Sequence, residues 1–187
     1  MRVLGIDPGI GRTGVAVVDG GIGQLVLHHS SCVTTTPGTA DALRLADMSR
    51  QLTAVLELYQ PDSAAVETLY FSSNRTTAMQ VAQARGVILC VLAQAGVSIA
   101  EYAPNQVKEA VAGYGAARKP QVARMVRRLL SAEKLDGPDD VADACAVAIC
   151  HHHRNGFGSA MALTGTVVAP SLARAIAAAQ ATSGARR

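Results

Sequence analysis

Four acids stand where chemistry could use them. Asp7 closes a short apolar run over residues 3–6 and leads into Pro8-Gly9. Glu67 closes a second run, Ser63-Ala64-Ala65-Val66, and Asp140 and Asp143 open an apolar helical stretch. In open α/β sheets, ligands and reacting groups gather at the carboxyl ends of strands. Two neighbouring parallel strands would therefore set Asp7 and Glu67 side by side. A spacing of three puts Asp140 and Asp143 on one helix face, with Cβ atoms roughly 5–6 Å apart. Ala142, Cys145, Ala146 and Ile149 are expected on the opposite face, packed on the sheet. Ordinary alternatives exist: Asp-Pro-Gly is good turn chemistry, and acids in a first helical turn complement the dipole. Glu67 has less of an alternative, because Thr68-Leu69-Tyr70-Phe71 solvates it poorly. Four converging carboxylates repel one another unless a divalent cation sits among them. Ligation by oxygen alone favours Mg²⁺ or Mn²⁺. Two such ions can activate a water and stabilise the leaving oxygen of a phosphodiester.

A second pattern supplies a partner for that chemistry. Between residues 105 and 135 lie Lys108, Arg118, Lys119, Arg124, Arg127, Arg128 and Lys134, against only Glu109 and Glu133. The net charge of +3 therefore divides into +5 in this block and −2 in the rest of the chain. A basic block beside an acidic body suits a polyanion, although a solvated helix face would look similar. Lys119 precedes a helix in a Gly- and Ala-rich loop, a good setting for phosphate. Arg124, Arg127 and Arg128 share the polar side of that helix; Val122, Met125, Val126 and Leu129 form its apolar side.

The elements needed to position these groups can be read in order. Strands are predicted over residues 3–6, 14–18 and 22–33, joined by turns at Asp7-Pro8-Gly9 and Asp19-Gly20-Gly21, as an antiparallel meander. Helical spacing covers residues 39–59 and stops at Pro61. A strand over 63–66 follows, then a helix over 74–95 capped by Asn74, and a strand over 97–100. Helices are predicted over 104–111, 120–130 and from Asp136-Gly137-Pro138 to about 153. Meandering strands followed by alternating helices and strands indicate an α/β domain with a mixed sheet. It spans residues 1–155; residues 156–187 form an Ala/Gly-rich tail with one short helix expected over 172–180.

The motifs have a recognisable arrangement. Gly5-Ile6-Asp7-Pro8-Gly9 with Thr13-Gly14, then Val66-Glu67, Gln83-Ala84-Arg85-Gly86 and Asp140-Val141-Ala142-Asp143-Ala144 resemble, in order and spacing, the RuvC family of Holliday junction resolvases. That resemblance covers roughly residues 1–155. It implies a ribonuclease H-like fold with a mixed five-stranded sheet flanked by helices. It also implies a homodimer, Mg²⁺-dependent nicking of four-way DNA junctions, and a branch-migration complex as partner. By position it makes Asp7, Glu67, Asp140 and Asp143 the metal-binding catalytic acids, and it makes Tyr70, Lys108 and Lys119 DNA-contacting residues. Arg75 is a further phosphate candidate from its place beside Tyr70, and Tyr70 and Phe71 could stack on bases.

Other features are weighed on their chemistry. His151-His152-His153 is read as a helix end that complements the dipole, with a metal tract as the alternative. Ala78, Ala82, Gly86 and Cys90 recur every four residues, a stripe fit either for packing on its own sheet or for a dimer contact. Asp7-x-Gly9 with Arg12-x-Gly14-Val15-Ala16-Val17 also resembles the YqgF-type nucleases that process RNA. An actin-like ATPase would share Asp-x-Gly but needs two lobes. A non-catalytic nucleic-acid-binding module is the remaining reading. Length and composition, 187 residues with 49% hydrophobic and 17% charged, suit one packed core and exclude a disordered charged chain. Mean hydropathy is +0.22, no apolar run is long enough to span a bilayer, and the start lacks a signal-peptide layout. Cys32, Cys90, Cys145 and Cys150 lack C-x-x-C spacing and read as small buried hydrophobes in a reducing, cytoplasmic compartment.

Overall fold

The structure, a computed structural model, describes residues 1–21, 24–68 and 75–161. Strands β1 (Arg2–Asp7), β2 (Arg12–Gly21) and β3 (Gln24–Thr34) pair antiparallel in sequence, which is the expected meander. Gly20, near the end of β2 and opposite Leu25, takes φ 136°, a conformation open mainly to glycine. Helix α1 (Asp41–Tyr59) ends at Gln60 in the left-handed region, just before Pro61. Strand β4 (Ser63–Glu67) then runs parallel to β1. After α2 (Arg75–Gln94), β5 (Ser98–Tyr102) adds parallel to β4. The sheet order is β3-β2-β1-β4-β5. Three helices complete the described chain: α3 (Pro104–Ala112), α4 (Lys119–Leu129) and α5 (Asp139–Met161).

Strand alternation divides the core into two layers. Leu4, Ile6, Val15, Val17, Ala64 and Val66 meet Met48 and Leu52 of α1 and Ile88 and Leu92 of α2. On the other face Val3, Ala16, Val18 and Ala65 meet α5, with α3 and α4 packed outside it. Two glycines set the height of α5. A Cβ at Gly5 would overlap the carbonyl oxygen of Ala144, and one at Gly14 would overlap that of Asp140. The row against the sheet is thus Asp140, Ala144 and Ala148. This corrects the expectation that Asp140 lies opposite the packed face; the helix is buried on nearly all sides from Ala144 to His152.

Other expectations change as well. Helix α5 passes residue 153 and continues to Met161, so His151-His152-His153 is not a helix end. Each histidine has a structural partner instead. His151 bonds Ser63 Oγ at 3.0 Å and the Tyr102 hydroxyl at 2.8 Å, His152 bonds Val18 O at 3.0 Å, and His153 bonds Ala110 O at 2.9 Å. Cys145 and Cys150 are buried as expected, but Cys32 is half-buried and Cys90 is exposed. On α2, Ala84, Ile88 and Leu92 face the sheet, whereas Gly86 and Cys90 face outward. The Gly86 and Cys90 half of the small-residue stripe therefore does not pack on its own sheet. Among the described residues no helix is long and apolar enough to cross a membrane. Tyr70, Phe71, Asn74 and the helix expected over 172–180 lie outside the described residues, as does the side chain of Arg75.

Candidate active site

Register brings the acids to one face. Asp7 pairs with Gly14, so its side chain leaves the sheet on the α5 side, as does that of Glu67, two residues beyond Ala65. The carboxyl ends of β1 and β4 lie next to each other under the first turns of α5. A cavity of about 250 Å³ opens there, lined by Asp7, Glu67, Asp143, Lys108, Lys119 and the apolar Pro104, Val107, Val122 and Ala146. Lys108 comes from α3 and Lys119 from the first position of α4. Both lysines thus stand at the acids, closer than a general phosphate-binding role required.

The electrostatics show an unbalanced negative site. The side chains of Asp7 and Glu67 lie close enough to perturb each other's ionisation. Burial, then the neighbouring charges of Glu67 and Asp143, push the Asp7 carboxyl up to about 8. Glu67 is also raised by burial, while its interaction with Asp7 opposes the rise. Burial and crowding together thus make both carboxyls harder to ionise than free acids. Lys119 Nζ holds Asp143 Oδ2 at 2.9 Å, and this hydrogen bond raises the lysine above its ordinary value.

Asp140 sits apart from the cavity lining, at the β2 border. Arg12 Nε lies 3.0 Å from its Oδ2, near enough for an ion pair but without hydrogen-bond alignment. That oxygen is buried and accepts no hydrogen bond among the described residues. Sequence reasoning passed over Arg12 as a site residue. The signal was present: Arg12 and Gly14 are two apart on one strand and so share the face on which Asp140 rests.

The expected four-way convergence is met in part. Asp7, Glu67 and Asp143 line one cavity, whereas Asp140 is held beside it by Arg12. Among the described residues no three His, Cys, Asp or Glu side chains form a ready-made metal cage. Even so, the donor set fits a hard divalent cation. It is made of oxygen alone, burial and neighbouring acids make its carboxyls hard to ionise, and one buried oxygen lacks a donor.

A mixed sheet ordered β3-β2-β1-β4-β5, with acids at the carboxyl ends of its two central parallel strands and a long helix above them, defines a ribonuclease H-like α/β fold. The family model for "Crossover junction endodeoxyribonuclease RuvC" matches residues 3–151. A protein of that name from Chloroflexus aggregans is 50% identical over 81% of this chain and 92% of its own length. Another from Syntrophomonas wolfei is 47% identical over 82% of this chain and 89% of its own. The structure of T. thermophilus RuvC in complex with a Holliday junction substrate superposes with a TM-score of 0.80 at 36% identity, covering 85% of this chain and 97% of that one. The chain belongs to the RuvC family of crossover junction endodeoxyribonucleases. This separates it from the YqgF-type, ATPase and non-catalytic readings.

Proposed function

We propose that this chain resolves four-way DNA junctions by hydrolysing phosphodiester bonds at the cavity between β1, β4 and α5. It is a Holliday junction-resolving endonuclease of homologous recombination and repair by its family. The observation that carries the site assignment is the meeting of Asp7, Glu67 and Asp143 with Lys108 and Lys119 in one cavity. Acids alone would repel a phosphate, and lysines alone would only hold it. Together they suit a site that grips a phosphodiester and cuts it.

Asp7, Glu67, Asp140 and Asp143 are the residues we assign to metal, which we take to be Mg²⁺ with Mn²⁺ able to substitute, two ions per site. When bound, the ions would supply an activated water and charge for the leaving oxygen. The protein's own groups do the rest. Asp7 and Glu67 offer carboxylates from a rigid sheet edge. Lys119 neutralises Asp143 in the free protein and is free to turn to a backbone phosphate, with Lys108 beside it. Pro104, Val107, Val122 and Ala146 keep one wall of the cavity apolar, which strengthens these charge interactions.

The finer organisation is also proposed: a nuclease domain over residues 1–155, an Ala/Gly-rich tail after it, and residence in the cytoplasm, where bacterial DNA lies. Tyr70 and Arg75 are kept as DNA contacts; Arg75 opens α2. We further propose a homodimer, supported by the outward-facing α2 stripe, and action with a branch-migration complex. Asp7→Asn and Glu67→Gln test the site. Each is expected to reduce Mg²⁺-dependent cleavage of a synthetic four-way junction by at least roughly 10²-fold, with junction binding in EDTA retained. Cleavage at the wild-type rate would remove the acids from the reaction.

A further inference from the structure

Arg12 stands on the side of the acid cluster opposite the two lysines. It opens β2, two residues before Gly14, and its Nε faces Asp140 Oδ2 at 3.0 Å. Its side chain is nevertheless 59% exposed, and among the described residues it makes no other polar contact. A guanidinium carries five donors in a fixed plane, so the edge that includes Nε can serve one anion while another edge serves a second. Lysine presents its three donors at one point and lacks the separated edges that let a guanidinium span two spaced anions.

The position is also constrained from below. Asp140 cannot sink toward the sheet, because its backbone already occupies the gap left by Gly14. Its Oδ2 is buried and, among the described residues, accepts no hydrogen bond. Arg12 is therefore the group that faces this carboxylate from β2. Lys108 and Lys119 approach from α3 and α4 across the cavity. A phosphate lying over Asp7 and Glu67 would have lysines on one side and the outer edge of Arg12 on the other.

We propose that Arg12 bridges Asp140 and the DNA backbone: Nε steadies the carboxylate, and the terminal amino groups take a phosphate of the bound strand. Arg12 is thus a DNA-binding residue and a positioning residue for Asp140 at once. The inference rests on the junction-cleaving reading of the site. It adds a contact from the β2 side to a grip otherwise made from α3 and α4.

The test uses the full chain, with Arg12→Gln and Arg12→Lys beside wild type. Junction affinity is measured in EDTA across a KCl series, and single-turnover cleavage is measured at saturating protein with Mg²⁺. Arg12→Gln should lose about 0.9 from the log–log salt slope, the amount expected for one phosphate contact, and should also cut more slowly. Arg12→Lys should keep most of the slope, because the charge remains, yet cleave as slowly as Arg12→Gln, because a point-like ammonium lacks the fixed edges that span both anions. Thermal melts of both variants check that the fold is intact. An unchanged slope in Arg12→Gln overturns the phosphate contact, and a wild-type cleavage rate in Arg12→Lys overturns the bridge. If wild type fails to prefer the junction over a linear duplex, the junction reading falls. The Arg12 contact is then decided by the same slopes on the duplex.

Discussion

A hydrogen atom at Gly14, where any other residue would carry a Cβ, lets the backbone of Asp140 rest directly on β2. The acid's position is therefore fixed by a residue that takes no part in the chemistry. Gly14→Ala should push the first turn of α5 away from the sheet at a cost of about 1–3 kcal/mol in stability. A displacement near 1 Å at a reacting group costs on the order of 10²-fold in rate. We expect that loss in cleavage while junction binding in EDTA holds, since Lys108 and Lys119 ride on other helices. Cleavage by Gly14→Ala at the wild-type rate would show that Asp140 needs no such seat. At this scale the acids themselves were legible, because a strand that ends in a lone carboxylate is conspicuous in sequence. Arg12 was not, since a basic residue after a turn looks like any solvated arginine until strand parity places it beside Asp140.

Among the elements, strands and helices followed apolar spacing closely, and their ends followed Pro61, Gly96 and Pro104. Helix α5 departed most. Its expected stop near residue 153 preceded a Gly-, Ala- and Ser-rich stretch, yet the helix runs on. The three histidines are partnered polar residues, two of them buried. His151, 4% exposed, ties β4 and β5 to α5 through Ser63 and Tyr102, and Asn155 bonds its Nε2 at 2.8 Å. Burial, then His152 beside it, holds its pKa down to about 4 from an ordinary 6.5. The sign follows from proton binding: below pH 6.5 the unfolded chain takes up a proton that the folded chain refuses. Stability from this residue is thus complete above pH 6.5 and is lost as pH falls toward 4. The loss by pH 5 is on the order of 2 kcal/mol. Urea unfolding of wild type and His151→Gln at pH 8 and pH 5 measures it. The variant should be less stable at pH 8 but lose less on acidification; parallel losses would mean that His151 does not carry the acid sensitivity.

At the scale of the whole molecule, the two faces of the sheet have separate tasks. The acid cavity opens under α5, while α1 and α2 cover the opposite face, and α2 presents Gly86 and Cys90 to the outside. A four-way junction offers two strands related by near-twofold symmetry, and one cavity can hold one scissile phosphate. A C₂ pair of chains joined through α2 would place one cavity at each of the two strands. Small residues on that helix allow close backbone approach, and Met79, 67% exposed, lies at the same end as Ala78. Gly86→Leu is the decisive variant because a Cβ at Gly86 meets nothing within 4 Å in the single chain. Replacing glycine inside a helix even favours the helix, by up to about 1 kcal/mol. The isolated fold should thus be untouched, while a partner helix packed on the stripe would collide with the new side chain. We expect sedimentation to show wild-type dimers and Gly86→Leu monomers with unchanged circular dichroism. On a supercoiled cruciform, wild type should linearise the plasmid through paired cuts, whereas the variant should release nicked circles. Dimeric Gly86→Leu protein that still makes both cuts would move the subunit contact away from α2.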